Sequence, residues 1–577
     1  MKQFWPYLKP YRKWLALGVL CAAAEAFLEL LIPLLMAEIV DVGIQNLDTV
    51  YTVQLGAVMV ALAVVALSLG VLSAYFSART GQSFGAEVRA AEFARIQSFS
   101  FHNIERFSTA SLITRMTNDV TAVQTTVMMG MRLLVRAPVM LVSASVLAML
   151  ISTQLSRVFV AAVPVLVLAI VLILKTVGPM FRKMQERTDN LNLVVQEDLT
   201  AIRTVKAFVR EAHEEEKFEG RNRDLFHMAE TAYGRVVVTM PLMQMLIYGT
   251  IIAILWFGGH MVDAGTLEVG LLTTFITYVM QIMISLMMVS MMFMMLTRAV
   301  ACGRRIQEVL REEPDITEHA AVAGQQVENG SVEFSHVSFK YEADSPEWTL
   351  EDLNFKIEAG ETVGIIGGTG SGKTSLVQLI PRLYQAQQGE VLVGGKPVET
   401  YSLRHLRESC AMVLQQNTLF SGTIRENLLW GKEDATEAEL AEACRIACVD
   451  EFLGRLPKGL DTDLGQGGVN VSGGQKQRLC IARAVLAQPK ILIFDDSTSA
   501  VDMATDARIR NALRESLAGT TKIIIAQRIA SVQDADKIFV LDEGRLVACG
   551  AHGELLKTCG IYREVYTSQQ EGGSIDG

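Results

Sequence analysis

Two stretches of the chain carry residue types suited to phosphate chemistry. Gly367-Gly368-Thr369-Gly370-Ser371-Gly372-Lys373-Thr374 fits the spacing G-x-x-x-x-G-K-[ST]. It follows an apolar run at 362–366 and opens onto a helical stretch at 375–383, starting with Ser375. In that setting glycines let backbone N–H groups close around phosphate oxygens, and the helix N-terminus adds partial positive charge. Lys373 would reach the outer phosphates, and Thr374 would offer its hydroxyl to Mg²⁺. The second stretch, Ile491-Leu492-Ile493-Phe494-Asp495-Asp496, is an apolar strand ending in an acidic pair. Nucleotide-hydrolysing folds use that layout to hold Mg²⁺ and activate water.

Positioning those groups takes an α/β domain. Apolar, β-branched strands are expected at 362–366, 491–494, 522–525 and 537–541, alternating with helices. The chain before about residue 300 is of another kind. Half of the 577 residues are apolar, and they concentrate there. Runs at 15–36, 55–76, 135–151, 158–180, 237–257 and 271–296 are each long enough to cross a hydrocarbon core of ~30 Å. A cleavable signal peptide does not account for the first run, which is too long and is followed by repeated returns to the membrane. Lys2, Lys9, Arg12 and Lys13 precede it, while 41–54 and 261–270 hold neither Lys nor Arg. The segments after the second and fourth runs are rich in both charges. Basic residues favour the cytoplasmic side, so both termini are expected in the cytoplasm, at the cytoplasmic (inner) membrane. Net charge is −10, which argues against a nucleic-acid partner. The eight cysteines show no metal-type pair spacing, and Cys444 and Cys448, four apart on an expected helix, read as small buried side chains kept reduced.

The expected division is a helical membrane domain over residues 1–297, with cytoplasmic helical excursions at about 77–132 and 181–235. A charged connector spans 298–329, with a short amphipathic helix at 304–310 stopped by Pro314. The nucleotide-binding domain spans 330–569, and 570–577 is a Gly- and Ser-bearing disordered tail.

Val471-Ser472-Gly473-Gly474-Gln475 precedes a helix expected from about Lys476, between the phosphate loop and the acidic strand. In that order it resembles the signature motif of ATP-binding cassette (ABC) proteins, whose half-transporters place six spans before one such domain. The resemblance covers essentially the whole chain. It implies a type I ABC exporter fold, α-helical in the membrane and α/β in the cassette. It also implies ATP and Mg²⁺ as cofactors, with Tyr341 on the adenine and Gln415 as the Q-loop residue and a metal ligand beside Thr374 and Asp495. Ser499-Ala500-Val501-Asp502 resembles the D-loop. Two cassettes would face head to tail, so that Ser472–Gln475 would complete the site of a second subunit.

The family normally has glutamate where this chain has Asp496, and a γ-phosphate histidine where it has Gln527. A shorter base misplaced by ~1 Å loses on the order of 10²-fold, and losing one charge-stabilising contact costs a similar factor. Heterodimeric exporters that resemble this chain carry this pairing in one subunit, bacterial multidrug exporters among them. The resemblance therefore implies a degenerate ATP site here, with a partner half-transporter supplying the catalytic glutamate. Tolerated substitution in an active enzyme is the alternative.

Short helices near 103–110 and 210–218 fit the places where such exporters dock membrane helices on cassettes, although solvated charged faces would look the same. Glu25 and Glu29 lie four apart within the first apolar run. Membrane carboxylates point either to a cationic substrate or to bracing of another helix. Met280, Met283, Met287, Met288, Met291, Met292, Met294 and Met295 crowd the sixth run. Met283 and Met287 with the two glutamates are the candidate substrate cavity, against a reading of ordinary packing or lipid contact. The function expected is ATP-driven export of a hydrophobic or lipid-like compound as half of a heterodimer. A slow homodimer and an ATP-binding regulatory subunit without transport are the rivals.

Overall fold

The computed structural model describes residues 4–318, 324–342, 345–496 and 501–573. The chain divides into two compact units. One comprises residues 1–97 and 109–312, the other residues 98–108 and 313–577.

The first unit is helical. A turn, α1 (Trp5–Leu8), leads to α2 (Arg12–Glu38), and α3 (Thr49–Gln97) follows. After the excursion of 98–108 the chain re-enters through α5 (Thr109–Thr114) and a π-helical turn (Arg115–Asp119) into α6 (Val120–Ile151). Then come α7 (Thr153–Thr200), the short α8 (Ile202–Ala207), α9 (Glu211–Asp263) and α10 (Val269–Arg311). At 1.5 Å per residue, the 49 residues of α3 reach roughly 70 Å, far beyond a ~30 Å hydrocarbon core, so one unbroken helix serves as both span and excursion. Among the described residues five helices are long and apolar enough to cross a membrane. The fourth expected run is represented by a shorter apolar stretch, Thr153–Ala169. Pro33 and Pro241 sit inside α2 and α9, which continue through them.

The expected separate helix at 304–310 is instead the end of α10, which runs on to Arg311 because no breaker intervenes before Pro314. At its other end α10 is capped from a distance. Asp41, in a π turn after α2, accepts hydrogen bonds from the N–H groups of Gly270 (2.7 Å) and Leu271 (3.1 Å). A carboxylate there satisfies orphan donors and complements the helix dipole. Gly270 permits the approach, since a Cβ would lie 2.5 Å from Asp41 and 2.6 Å from the Ala37 carbonyl. Tyr278 and Thr274 donate to the carbonyls of Leu30 and Pro33, both at 2.6 Å, fastening α10 to α2.

The second unit is the α/β domain, together with α4 (Phe101–Phe107). Strands β1 (Val332–Phe339), β2 (Leu350–Ile357), β4 (Gln388–Val393) and β5 (Lys396–Pro397) form an antiparallel sheet ordered β2-β1-β4-β5. The larger sheet is ordered β10-β9-β3-β8-β7-β6. Its members are β3 (Thr362–Gly367), β6 (Cys410–Val413), β7 (Ile491–Asp495), β8 (Thr521–Ile525), β9 (Lys537–Asp542) and β10 (Arg545–Gly550), parallel except at the β10 edge. Alternation sends Leu492 and Phe494 into one core and Ile491 and Ile493 into the other, so β7 is buried on both faces.

The helices of this unit are α11 (Lys373–Leu379), α12 (Leu403–Glu408), α13 (Ile424–Leu429), α14 (Glu437–Ile446), α15 (Asp450–Leu453), α16 (Gly473–Leu486), α17 (Met503–Ser516), α18 (His552–Thr558) and α19 (Gly560–Gly573). The expected tail from 570 is helical as far as Gly573. Residues 574–577 lie outside the described residues.

Candidate active site

The phosphate loop follows β3, near the centre of the larger sheet, and ends where α11 begins. That helix starts at Lys373 rather than Ser375 and stops at Leu379, because Pro381 disfavours helical backbone just before it. Gly370 (φ +83°) and Gly372 (φ +87°) take left-handed backbone that turns the loop tightly, a conformation other residues resist. The Lys373 ammonium lies inside the loop, donating to the carbonyls of Gly367 (2.9 Å) and Gly368 (2.6 Å) and to the Ser371 hydroxyl (3.3 Å). Burial lowers its pKa, partly offset by Asp496 and Asp495. Nothing crowds a Cβ built at Gly368 or Gly370, so the cradle has room for phosphate oxygens.

Thr374 donates to Asp495 Oδ1 at 2.8 Å, bringing the two expected metal ligands together. Asp495 is buried, and burial raises its pKa despite the Thr374 hydrogen bond; Asp496 adds to the rise and Lys373 opposes it. A divalent cation is the natural complement of such a carboxylate beside a hydroxyl. Gln415 is exposed two residues past β6, and the pairing of Val413 with Phe494 brings it level with the acid pair. Tyr341 shares a 2.8 Å hydrogen bond with the hydroxyl of Ser375 and packs edge-on against Phe339 and Tyr384.

The strand register explains the most informative contact. Phe494 pairs with Ile524 and Asp495 with Ile525, so Asp496 and Gln527 leave neighbouring strand ends side by side. Gln527 Nε2 donates to Asp496 Oδ2 at 2.6 Å. Asp496 takes left-handed backbone (φ 47°), with its N–H on the carbonyl of Ile525. Burial raises its pKa, the Gln527 hydrogen bond being the first opposing influence.

Ser472 is the N-cap of α16, which begins at Gly473, three residues before the expected Lys476. Its capping box closes through Gln475: Ser472 Oγ accepts from Gln475 N–H at 3.4 Å, and Gln475 Oε1 accepts from Ser472 N–H at 2.9 Å. Ser472 and Gly473 are exposed, and a Cβ on Gly473 would meet nothing. Of the D-loop pair, Asp502 caps α17 through the Thr505 N–H at 2.9 Å. Ser499 lies outside the described residues.

In the helical unit, Glu25 and Glu29 are gathered by one cation that sequence reasoning did not name. Arg136 of α6 donates to Glu25 at 2.7 Å and to both oxygens of Glu29 at 2.9 and 2.7 Å, and Arg132 lies 3.7 Å from Glu25. Two arginines four apart facing two glutamates four apart was the readable signal. Met283 is buried among Phe275, Tyr278, Val279 and Ile282, and it also borders an apolar cavity of about 560 Å³ lined by α7 and α9. Met287 is half-buried. Of the two expected docking helices, the first is α4. Phe101 stacks on Tyr384 (6.0 Å), whose hydroxyl donates to Glu105 at 2.8 Å, and Asp315 N–H donates to Asn103 at 3.3 Å. The second tip helix is α8 (Ile202–Ala207), not 210–218, where α9 has already begun.

The family pattern described as ABC transporter transmembrane region matches residues 15–287, and that described as ABC transporter matches 350–499. The uncharacterized ABC transporter ATP-binding protein YfiB of Bacillus subtilis (strain 168) is 39% identical over 569 residues, 99% of this chain and 98% of that protein. The chain belongs to the ABC transporter family. Mycobacterium tuberculosis (strain ATCC 25618 / H37Rv) has the uncharacterized ABC transporter ATP-binding protein Rv1273c, 37% identical over 99% of this chain and 98% of its own. A solved structure described as a bacterial Atm1-family ABC exporter with ATP bound superposes with a TM-score of 0.80 at 25% identity, covering 97% of this chain and 98% of that one. This ABC transporter is thus a multi-pass membrane protein with the type I exporter fold, and its cassette is of the ATPase kind.

Proposed function

We propose that this exporter works as one half of a heterodimer, moving a hydrophobic or lipid-like compound outward, with its own ATP site degenerate. The hydrogen bond from Gln527 to Asp496 carries the reading. A general base must lie within hydrogen-bond distance of the proton it abstracts, and here the shorter carboxylate is held by its neighbour. Binding groups are kept: Lys373 and the loop N–H groups for phosphates, Tyr341 beside the loop for the base, and Thr374, Asp495 and Gln415 for Mg²⁺. Bound ATP with its magnesium would supply the free energy for alternating access. The Ser472–Gln475 helix start, exposed at Ser472 and Gly473, would complete the partner's site, where the partner provides the catalytic base. Both termini and the cassette face the cytoplasm in this reading, which rests on the placement of basic residues.

The test is ATP hydrolysis by the purified complex. Asp496→Ala is expected to leave turnover within about twofold, whereas neutralising the partner's catalytic glutamate should lower it by at least ~10²-fold. Equal loss from both changes, or brisk dye transport by this chain alone in vesicles, would overturn the heterodimer.

A further inference from the structure

Glu92 lies on α3, well past the apolar stretch of that helix. It is fully buried, and neither carboxyl oxygen has a hydrogen-bond partner. A buried polar group left so is costly and calls for an explanation.

Its surroundings are a junction of charged groups in the helical unit. From α10, Arg305 donates through Nε and Nη2 to the two oxygens of Asp119 at 2.7 and 2.5 Å. From the π turn, Arg115 donates to the Arg305 carbonyl (2.6 Å) and to Glu308 Oε2 (2.7 Å). On α3 itself, Arg89 is engaged by Gln124 (2.9 Å) and Thr121 (3.3 Å) of α6, and Arg95 follows Glu92 by one turn. Phe4, just before α1, and Tyr7 within it add apolar cover, and α10 adds Cys302 and Ile306. Arg89, Arg115 and Arg305 each hold another oxygen, while Asp119 presents negative charge to Glu92.

Burial first, then Asp119, raises the Glu92 pKa to about 7, with Arg115 and Arg89 opposing. Burial acts on Asp119 too, but there the Arg305 hydrogen bonds prevail and its pKa is lowered. One carboxyl of the junction is thus an anchored anion, and the other is shifted toward its neutral form.

We propose that Glu92 is a protonation latch for the junction of α3, the π turn and α10, sealed while its carboxyl is neutral and loosened when the proton leaves to solvent. The inference goes beyond the transport reading and does not depend on which partner completes the ATP sites. Its leverage comes from connectivity. The chain between α3 and α5 is the 98–108 segment that folds with the cassette, so a change at this junction acts on both ends of that segment. Transporter cycling would then respond to cytoplasmic pH around neutrality.

Between its ordinary value near 4.5 and about 7, the carboxyl binds more protons folded than unfolded, so stability falls as pH rises through that window and is flat above it. The test follows the thermal midpoint of the full-length protein in nanodiscs from pH 5 to 8.5, for wild type and Glu92→Gln. The difference should be near zero at pH 5 and grow steadily in favour of Glu92→Gln up to about pH 7.5. The variant's ATPase pH profile should lose the inflection near pH 7. A pH-independent difference, or none, would overturn the latch and leave Glu92 a packing residue. Should the variant not fold, hydrogen exchange of wild-type 109–123 decides. Beyond the intrinsic pH effect, protection there should drop several-fold between pH 6 and 8 relative to the cassette strands, and unchanged relative protection would refute the proposal.

Discussion

One methylene separates Asp496 from the glutamate the family usually carries, and the bond to Gln527 makes that difference matter. The amide donates where a histidine would face the γ-phosphate, so the two departures form one unit. On the proposed degenerate site, Asp496→Glu combined with Gln527→His should raise hydrolysis at this chain's site by roughly 10²-fold or more, with each single change giving much less. The measurement is phosphate release from a complex whose partner site has been disabled. At this scale the sequence was highly legible: the spacing of Gly367 to Thr374 and the acid pair implied the cradle, because backbone geometry there is set by short-range glycine and lysine chemistry. What it could not show was a bond between residues 496 and 527, which exists only because β7 and β8 are neighbours in register. Glu92 was missed for a related reason, since a lone glutamate on a charged helix reads as solvated until the packing around it is known.

Among the elements, long apolar runs marked the membrane helices and β-branched runs marked β3, β7, β8 and β9, four of the ten described strands, while boundaries followed local chemistry that composition hides. The capping box drew the start of α16 back to Gly473, and the absence of a breaker carried α10 to Arg311. Pairings between helices were the least legible, as with Arg136 and its two glutamates. Removing one member of a buried ion pair costs about 3–5 kcal/mol, because the other charge is left uncompensated. Arg136→Ala, which leaves the buried Glu25 without its closest cation, should therefore lower the thermal midpoint of the purified protein clearly more than Glu29→Gln, because Arg136 and Glu29 are themselves both partly exposed. A milder effect is expected from Asp41→Ala, which removes the cap of α10 at a cost of about 1–2 kcal/mol. Thermal scanning in one detergent would rank the three.

For the whole molecule, the division into units does not follow the order of the chain. Residues 98–108 interrupt the helical unit in sequence yet fold with the α/β unit, held by Tyr384, Asn103 and Phe101. No reading of hydropathy reveals this, because α4 is only 7 residues long and its partners lie far along the chain. A cassette excised at residue 313 would consequently leave behind one of its own pieces. Its aromatic socket around Tyr384 would be bare, and such a fragment should be sticky in solution until a synthetic peptide of residues 98–108 is supplied, with binding to that peptide lost in Tyr384→Ala.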